Sequence, residues 1–187
     1  SNTYVHDIRL VSLENNLDQQ RTALGSATKV RLERAVFEGF RDIDNPTDAW
    51  GIYMKDTENI QLVQCGFDDN TQSDIAFVGN VKGVTVDGCY PIGNTLHVNL
   101  EPNASDEFNE NITIKNLTVK GFKWGLMAVG VDNLKIENAD LSFNYRQKLK
   151  STREKEDLSD WLSFHHNENN EWLRYGAAVY LKKCNNA

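Results

Sequence analysis

Several features are scarce in this chain of 187 residues, and each scarcity excludes a class of protein. Cysteine occurs only three times, which is too few for a small scaffold held together by disulfides. Three prolines and 12 glycines exclude collagen-like and linker sequence. No apolar run approaches the roughly 18 residues of a membrane-spanning helix, so membrane insertion is not expected.

Positive charge is also in short supply. Lys and Arg number 20 against 27 Asp and Glu, which gives a formal net charge of −7. A surface of this sign repels the phosphates of nucleic acids and anionic lipids, so neither is expected as a partner. The 40% hydrophobic and 25% charged residues are typical of a globular protein. The length predicts a single domain, residues 1–187, with a sizeable core.

The most informative feature of the chain is an internal repeat. Six rows have the same pattern, which is a polar residue or glycine followed by β-branched or leucine residues at alternate positions. The rows start at Asp7, Lys29, Asn59, Gly83, Asn111 and Asn133, with spacings of 22, 30, 24, 28 and 22 residues. The residues six places after the starts form a second column, which reads Leu13, Ala35, Cys65, Cys89, Leu117 and Ala139.

Further strand-like runs precede most of the next rows, for example Gly51-Ile52-Tyr53-Met54. Two or three short strands in each period of 22–30 residues leave no room for a helix. This period favours a parallel β-helix over leucine-rich repeats or propeller blades. The prediction is therefore an all-β solenoid of about six turns, right-handed because parallel crossover connections are right-handed.

These rows, the stretch SDIAFVGNVKGVTVDGC and the stretch LHVNLEPN resemble the right-handed parallel β-helix repeat proteins of the pectin-lyase-like superfamily. The resemblance covers about residues 4–145 and 175–187. It implies an extracellular, periplasmic or cell-surface protein that acts on a polysaccharide as a glycoside hydrolase or a lyase. The alternatives are a non-catalytic glycan-binding or tail-spike-like module and a purely structural coil. The active-site motifs of polygalacturonases, pectate lyases and alginate epimerases are absent, apart from one Asp-Asp pair, Asp68-Asp69.

One segment breaks the period. Residues 143–175 are rich in charge and lack alternation, and a Ser-x-x-Glu capping box begins at Ser151. Leu158, Trp161 and Leu162 follow at helical spacing, so residues 146–174 are predicted to be an insertion with a short helix. The chain ends inside a repeat, with Cys184-Asn185-Asn186-Ala187, and the rest of a longer β-helix chain is therefore expected as its partner.

The candidate site follows from strand alternation. If Leu96, Val98 and Leu100 point inward, then His97, Asn99 and Glu101 point outward together, with Asp74 on the neighbouring turn. Asp74 and Glu101 could act as the two carboxylates of glycoside hydrolysis, or His97 could remove a sugar proton in a lyase reaction. The same carboxylates could bind Ca²⁺, although no metal-ligand motif is assigned. Alternatively, these are ordinary polar residues on a solvated sheet.

Aromatic residues are predicted to extend the site toward a sugar chain. Trp50 and Trp124 each precede a glycine that opens an outward-facing strand, and Tyr53 and Tyr180 point outward on neighbouring turns. Their rings could stack on sugars, with Asn99 as a further substrate-binding residue. The alternative for the tryptophans is the packing of loops.

Two cysteines, Cys65 and Cys89, occupy one column of adjacent turns. Such a pair is close enough for a disulfide to be considered, but reduced thiols in the core are favoured. Asn59, Asn111 and Asn133 share another column, and their amides are predicted to hydrogen-bond along the stack.

Overall fold

A computed structural model describes residues 2–12, 21–40, 50–68, 70, 73–92, 96–102, 107–121, 124–143 and 177–186. These residues form strands and no helix, and therefore none that could span a membrane. The predicted insertion at 146–174 lies outside the described residues. The strands are β1 (Thr3–His6), β2 (Arg9–Val11), β3 (Arg21–Gly25), β4 (Thr28–Glu33), β5 (Val36–Glu38), β6 (Trp50–Lys55), β7 (Glu58–Val63), β8 (Gly66–Asp68), β9 (Ser73–Phe77), β10 (Lys82–Asp87), β11 (Tyr90–Pro91), β12 (Val98–Leu100), β13 (Asn109–Lys115), β14 (Thr118–Gly121), β15 (Trp124–Val129), β16 (Val131–Glu137), β17 (Asp140–Phe143) and β18 (Ala177–Lys182).

The strands form a parallel solenoid, as the repeat predicts. Each strand pairs in parallel with the strand three places along the chain. The first sheet has the order β1-β4-β7-β10-β13-β16, and the third has the order β3-β6-β9-β12-β15-β18. The second side contains two sheets, β2-β5-β8-β11 and β14-β17. The last pairing, between β15 and β18, joins segments 53 residues apart.

The second side breaks between β11 and β14, and a proline explains the break. The backbone N–H groups of Tyr90 and Ile92 donate to Cys65 and Phe67 of the preceding turn. Pro91, between them, therefore directs its backbone toward the following turn, where it has no N–H to donate. The prediction of about six turns is therefore not confirmed.

Alternation explains why the rows form strands. In β13, Ile112 and Ile114 are buried while Thr113 and Lys115 lie on the outer face. Branched side chains at alternate positions favour this half-buried, pleated arrangement.

The first row is shifted from the predicted alignment. Thr3 pairs with Val30, so the first row begins at Asn2 and the prediction of Asp7 as its start is wrong. Asp7 lies at the following corner of the turn, with a φ of 53°. Lys29, a true row start, has a φ of 57°. Both corners place a polar residue in the left-handed conformation before an apolar residue, so the two patterns look alike in sequence.

The residues one and three places after each row start are expected to point inward, and these two ladders form the core, with one correction. Ile8 and Leu10 do not head these ladders, because the shifted first row places Leu10 opposite Phe37 on the second side. Both are partly buried and pack against the core. The rings of Phe37 and Phe67 stack at 5.0 Å between centroids. The buried members of the predicted ladders are Val30, Ile60, Val84, Ile112 and Leu134, together with Leu32, Leu62, Val86 and Ile114.

An amide ladder runs along one corner of the coil. The Asn133 side-chain amide donates to the Asn111 oxygen at 3.0 Å, and Asn186 donates to Asn133 at 3.1 Å. The predicted stacking is therefore confirmed for Asn111 and Asn133. Asn59 shares the column but is separated from Asn111 by Gly83, which has no side-chain amide.

Candidate functional site

The outer face of the third sheet brings the predicted site residues onto neighbouring strands. Tyr53, Ala76, Asn99, Met127 and Tyr180 follow one another in a single column of paired strands. In the adjacent column the backbone N–H of Asp74 donates to the carbonyl of His97 at 3.1 Å. The sequence therefore predicted the lateral placement of these residues correctly.

This outer face is buried. Leu96, Val98 and Leu100 belong to the core as predicted, which directs His97 and Asn99 to the other side of the sheet. Nevertheless, His97 is only 3% exposed and Asn99 only 8%. These two residues are therefore not ordinary polar groups on a solvated sheet, as the alternative interpretation held.

Asp74 is the group on this face whose pKa departs most from its ordinary value. Its Oδ1 accepts a hydrogen bond from Asn70 Nδ2 at 2.8 Å, and its Oδ2 accepts one from the His97 backbone N–H at 2.7 Å. Burial raises the pKa of Asp74 to about 7, although these two hydrogen bonds favour the charged form. Asp74 consequently exchanges its proton near neutral pH.

Asn70 positions Asp74, and no pattern in the sequence predicts this role. Its Oδ1 accepts from the Phe40 backbone N–H at 3.2 Å, and its Nδ2 donates to the Phe37 carbonyl at 3.2 Å. These contacts fix the orientation of the amide, so that Nδ2 faces Asp74. A buried asparagine that satisfies backbone groups is a local event and leaves no mark in the hydrophobic pattern.

A second buried asparagine, Asn109, also hydrogen-bonds backbone groups through its side-chain amide. Asn109 is fully buried at the start of β13. Its Oδ1 accepts from the Val81 backbone N–H and its Nδ2 donates to the Phe77 carbonyl, both at 3.2 Å. In both of these hydrogen bonds the partner of Asn109 is a backbone group, whereas Asn70 also donates to the Asp74 carboxylate. The role of Asn109 is to satisfy backbone groups where the coil turns a corner.

Glu101 lies apart from Asp74. Asp74 lies opposite His97, and Glu101 follows His97 by four residues. At about 3.3 Å per residue, these four residues span roughly 13 Å along the strand direction. The carboxylate pairs of glycosidases are about 5–10 Å apart. Glu101 is therefore not the direct lateral neighbour of Asp74, and a catalytic pair of these two carboxylates stays a prediction. Within the described ranges, no group of three or more His, Cys, Asp or Glu side chains could hold a metal ion, and Ca²⁺ binding stays a prediction.

The two described aromatic residues of the predicted site contact each other and an arginine. The Trp50 and Tyr53 rings are 5.3 Å apart, and the Arg21 guanidinium lies 4.7 Å from the Tyr53 ring and 5.4 Å from Trp50. These contacts are cation–π interactions. Trp50 is also buried. The side chains of Trp124 and Tyr180 lie outside the described part of the structure.

A more accessible aromatic residue lies on the second side of the coil. Tyr90 and Ile92 are 45% and 47% exposed, and both side chains extend across Gly66 of the preceding turn. A methyl group built on Gly66 would lie 2.7 Å from Ile92 Cδ1 and 3.2 Å from Tyr90 Cε2. The glycine therefore creates the recess that the two side chains occupy. A glycine that opens a strand is the signal that could have identified this surface.

Another glycine supports the Asp74 environment, and its replacement should be costly. A methyl group at Gly51 would lie 2.7 Å from the Asp74 carbonyl oxygen and 3.0 Å from Asn70 Nδ2. Because backbone cannot move aside locally, Gly51→Ala should reduce the free energy of unfolding by about 1–3 kcal/mol. Urea denaturation measures this. Gly25→Ala is the control, since that position has no heavy atom within 4 Å, and equal midpoints for the two variants would contradict the expectation.

No protein-family model, curated protein or solved structure matches this chain. The parallel solenoid is shown by its strand register. Membership of the pectin-lyase-like superfamily stays a prediction from the sequence rows.

Proposed function

We propose that this protein acts on a polysaccharide and that it binds the sugar chain on the outer face of the second side. This surface, the Tyr90 face, consists of Glu38, Gly66, Asp68, Tyr90 and Ile92. The observation that carries the proposal is the exposed Tyr90 ring, which lies across Gly66 on a regular parallel sheet. A rigid aromatic ring offers a large contact area for the apolar face of a sugar at low entropic cost.

Polar groups beside the ring suit sugar hydroxyls. Glu38 and Asp68 are opposite each other on neighbouring strands, in the same column as Ile92. Glu38 Oε2 accepts hydrogen bonds from Arg9 Nε at 2.9 Å, which holds the carboxylate in place. Carboxylates accept hydrogen bonds from hydroxyl groups. Two carboxylates and a net charge of −7 disfavour polyuronates, so a neutral glycan is the expected ligand.

Binding is better supported than cleavage. Both oxygens of Asp74 accept hydrogen bonds within the protein, and only 1% of the residue is exposed. A carboxyl group in this environment does not reach a polymer in the conformation described. Cleavage by a hydrolase or lyase through Asp74, His97 and Glu101 is the second candidate. One observation favours it, because a pKa of about 7 for Asp74 suits a general acid.

The wider assignment belongs to the same proposal. It includes a right-handed coil of the pectin-lyase-like superfamily that is located outside the cell or at its surface, as the resemblance of the repeated rows to that superfamily implies. The repeated rows and the parallel register support this wider assignment. The proposed binding of a polysaccharide is supported by the Tyr90 face.

Retention on immobilised polysaccharides tests the binding proposal. We expect the protein to bind at least one neutral glycan and Tyr90→Ala to bind about fivefold more weakly, since one aromatic contact contributes about 1 kcal/mol. Tyr4→Ala is the control, because Tyr4 is also exposed but lies on the first sheet. Failure to bind any glycan, or equal weakening by both variants, would overturn the proposal.

The same panel distinguishes the second candidate. Reducing ends and unsaturated products are measured with and without Ca²⁺, for the protein and for Glu101→Gln. Turnover that disappears in Glu101→Gln would establish cleavage on the third sheet. Binding that depends on Tyr90 without turnover would leave a non-catalytic glycan-binding module.

A further inference from the structure

The only two cysteines in register among the described residues lie on adjacent turns inside the coil. Cys65 lies between β7 and β8, Cys89 lies between β10 and β11, and the Tyr90 backbone N–H donates to the Cys65 carbonyl at 2.9 Å. Residues opposite each other on neighbouring parallel strands have Cα atoms about 4.8 Å apart. This separation is within the range of about 4.4–6.8 Å that a disulfide spans.

The two thiols are also close enough to influence each other. Both cysteines are free and buried, at 0% and 1% exposure. The Cys89 thiol lowers the pKa of Cys65 by hydrogen bonding to its sulfur, whereas burial raises the pKa of Cys89. Of the two, Cys65 is therefore the better nucleophile and Cys89 stays protonated.

We propose that Cys65 and Cys89 form a reversible disulfide on exposure to a peroxide, and that this bond cross-links two neighbouring turns of the coil. The neighbours of the pair in the column, Ala35 and Leu117, are apolar and buried, so they offer no competing nucleophile. The third cysteine, Cys184, contacts the Ala128 carbonyl at 3.5 Å in the last turns and belongs to a different part of the coil. The cross-link is therefore specific to one pair.

The reaction proceeds in two balanced steps. The Cys65 thiolate attacks hydrogen peroxide and, with one proton, gives a sulfenic acid and water. The Cys89 thiol then attacks the Cys65 sulfur, and its proton leaves with the hydroxyl group as a second water molecule. The two thiols lose two electrons and two protons in total, which together are two hydrogen atoms, and the peroxide is reduced to water. Because both sulfurs are buried, the first step requires transient opening of the coil and is slow.

Intact-mass measurement after incubation with millimolar peroxide tests the proposal. We expect a loss of two hydrogen masses, a fall in the thiols titrated in denaturant from three to one, and recovery of all three with dithiothreitol. The closed loop should raise the Tm by about 5–10 °C. A peptide that links Cys65 to Cys89 identifies the bond.

Two variants serve as controls. Cys184→Ala should still form the cross-link. Cys89→Ala should fold, because alanine occupies the same column at Ala35, but it should gain oxygen at Cys65 without losing two hydrogens. Three thiols that persist after peroxide treatment, or a cross-link through Cys184 or between molecules, would overturn the proposal.

Discussion

Replacing Ile112 with aspartate should abolish cooperative folding of the coil. Ile112 is fully buried between Val84 and Leu134 of the adjacent turns, and all three belong to one inward ladder. An unpaired carboxylate placed there loses its hydration and gains no partner, at a cost of several kcal/mol. A domain of this kind has only about 5–15 kcal/mol of total stability. The loss should therefore consume most or all of it.

Thr113→Asp provides a matched control for this variant. Thr113 is the next residue in β13, its side chain lies on the outer face, and it pairs with Lys135. The same new charge should change the stability there by less than about 0.5 kcal/mol. Circular dichroism on thermal unfolding compares the two variants. A cooperative transition for Ile112→Asp close to that of Thr113→Asp would show that Ile112 does not occupy a closed core.

The protein should lose stability as the pH rises from about 4 to 7, because of Asp74. Its pKa is raised from 3.8 to about 7 in the folded state, so the folded chain binds one more proton than the unfolded chain between these values. Under these conditions the free energy of unfolding falls by about 1.4 kcal/mol per pH unit. From pH 5 to pH 8 the loss attributable to Asp74 should therefore be about 3 kcal/mol.

Comparison with Asp74→Asn isolates this contribution. The amide cannot titrate, so the part of the pH dependence due to Asp74 should vanish in the variant. The variant should also be less stable at pH 5, because its NH₂ group must face either Asn70 Nδ2 or the His97 N–H, both of which are donors. Urea denaturation at pH 5 and pH 8 gives both quantities. Equal pH dependence in the two proteins would mean that Asp74 has an ordinary pKa when folded.

The fold was largely predictable because alternation is repeated in many rows. Residues such as Val84 and Val86 recur at fixed offsets from a polar corner residue, and the period of 22–30 residues leaves few architectures. The first row was misplaced because Asp7 and Lys29 lie at different corners but have the same backbone conformation. A pattern of residue types does not distinguish corners whose physical requirements are identical.

The candidate site was only partly predictable. Alternation correctly placed His97 and Asn99 beside the strand that carries Asp74, because lateral pairing follows from the register. It did not predict that the outer face is buried, since burial depends on packing beyond the strand itself. Asn70 and Tyr90 were missed because a single amide and a side chain that leans across a glycine contribute nothing to periodicity.

The pairing of β18 with β15 sets an order in which the coil assembles. The earlier turns join strands 22–30 residues apart, whereas this pairing spans 53 residues. Closing a loop of about twice the length costs roughly 0.6 kcal/mol more in chain entropy. The contacts that this closure forms also join residues that are farther apart in the sequence. β18 should therefore join the coil late in folding. A nucleus is expected instead among the central turns, from which the outer turns grow one at a time.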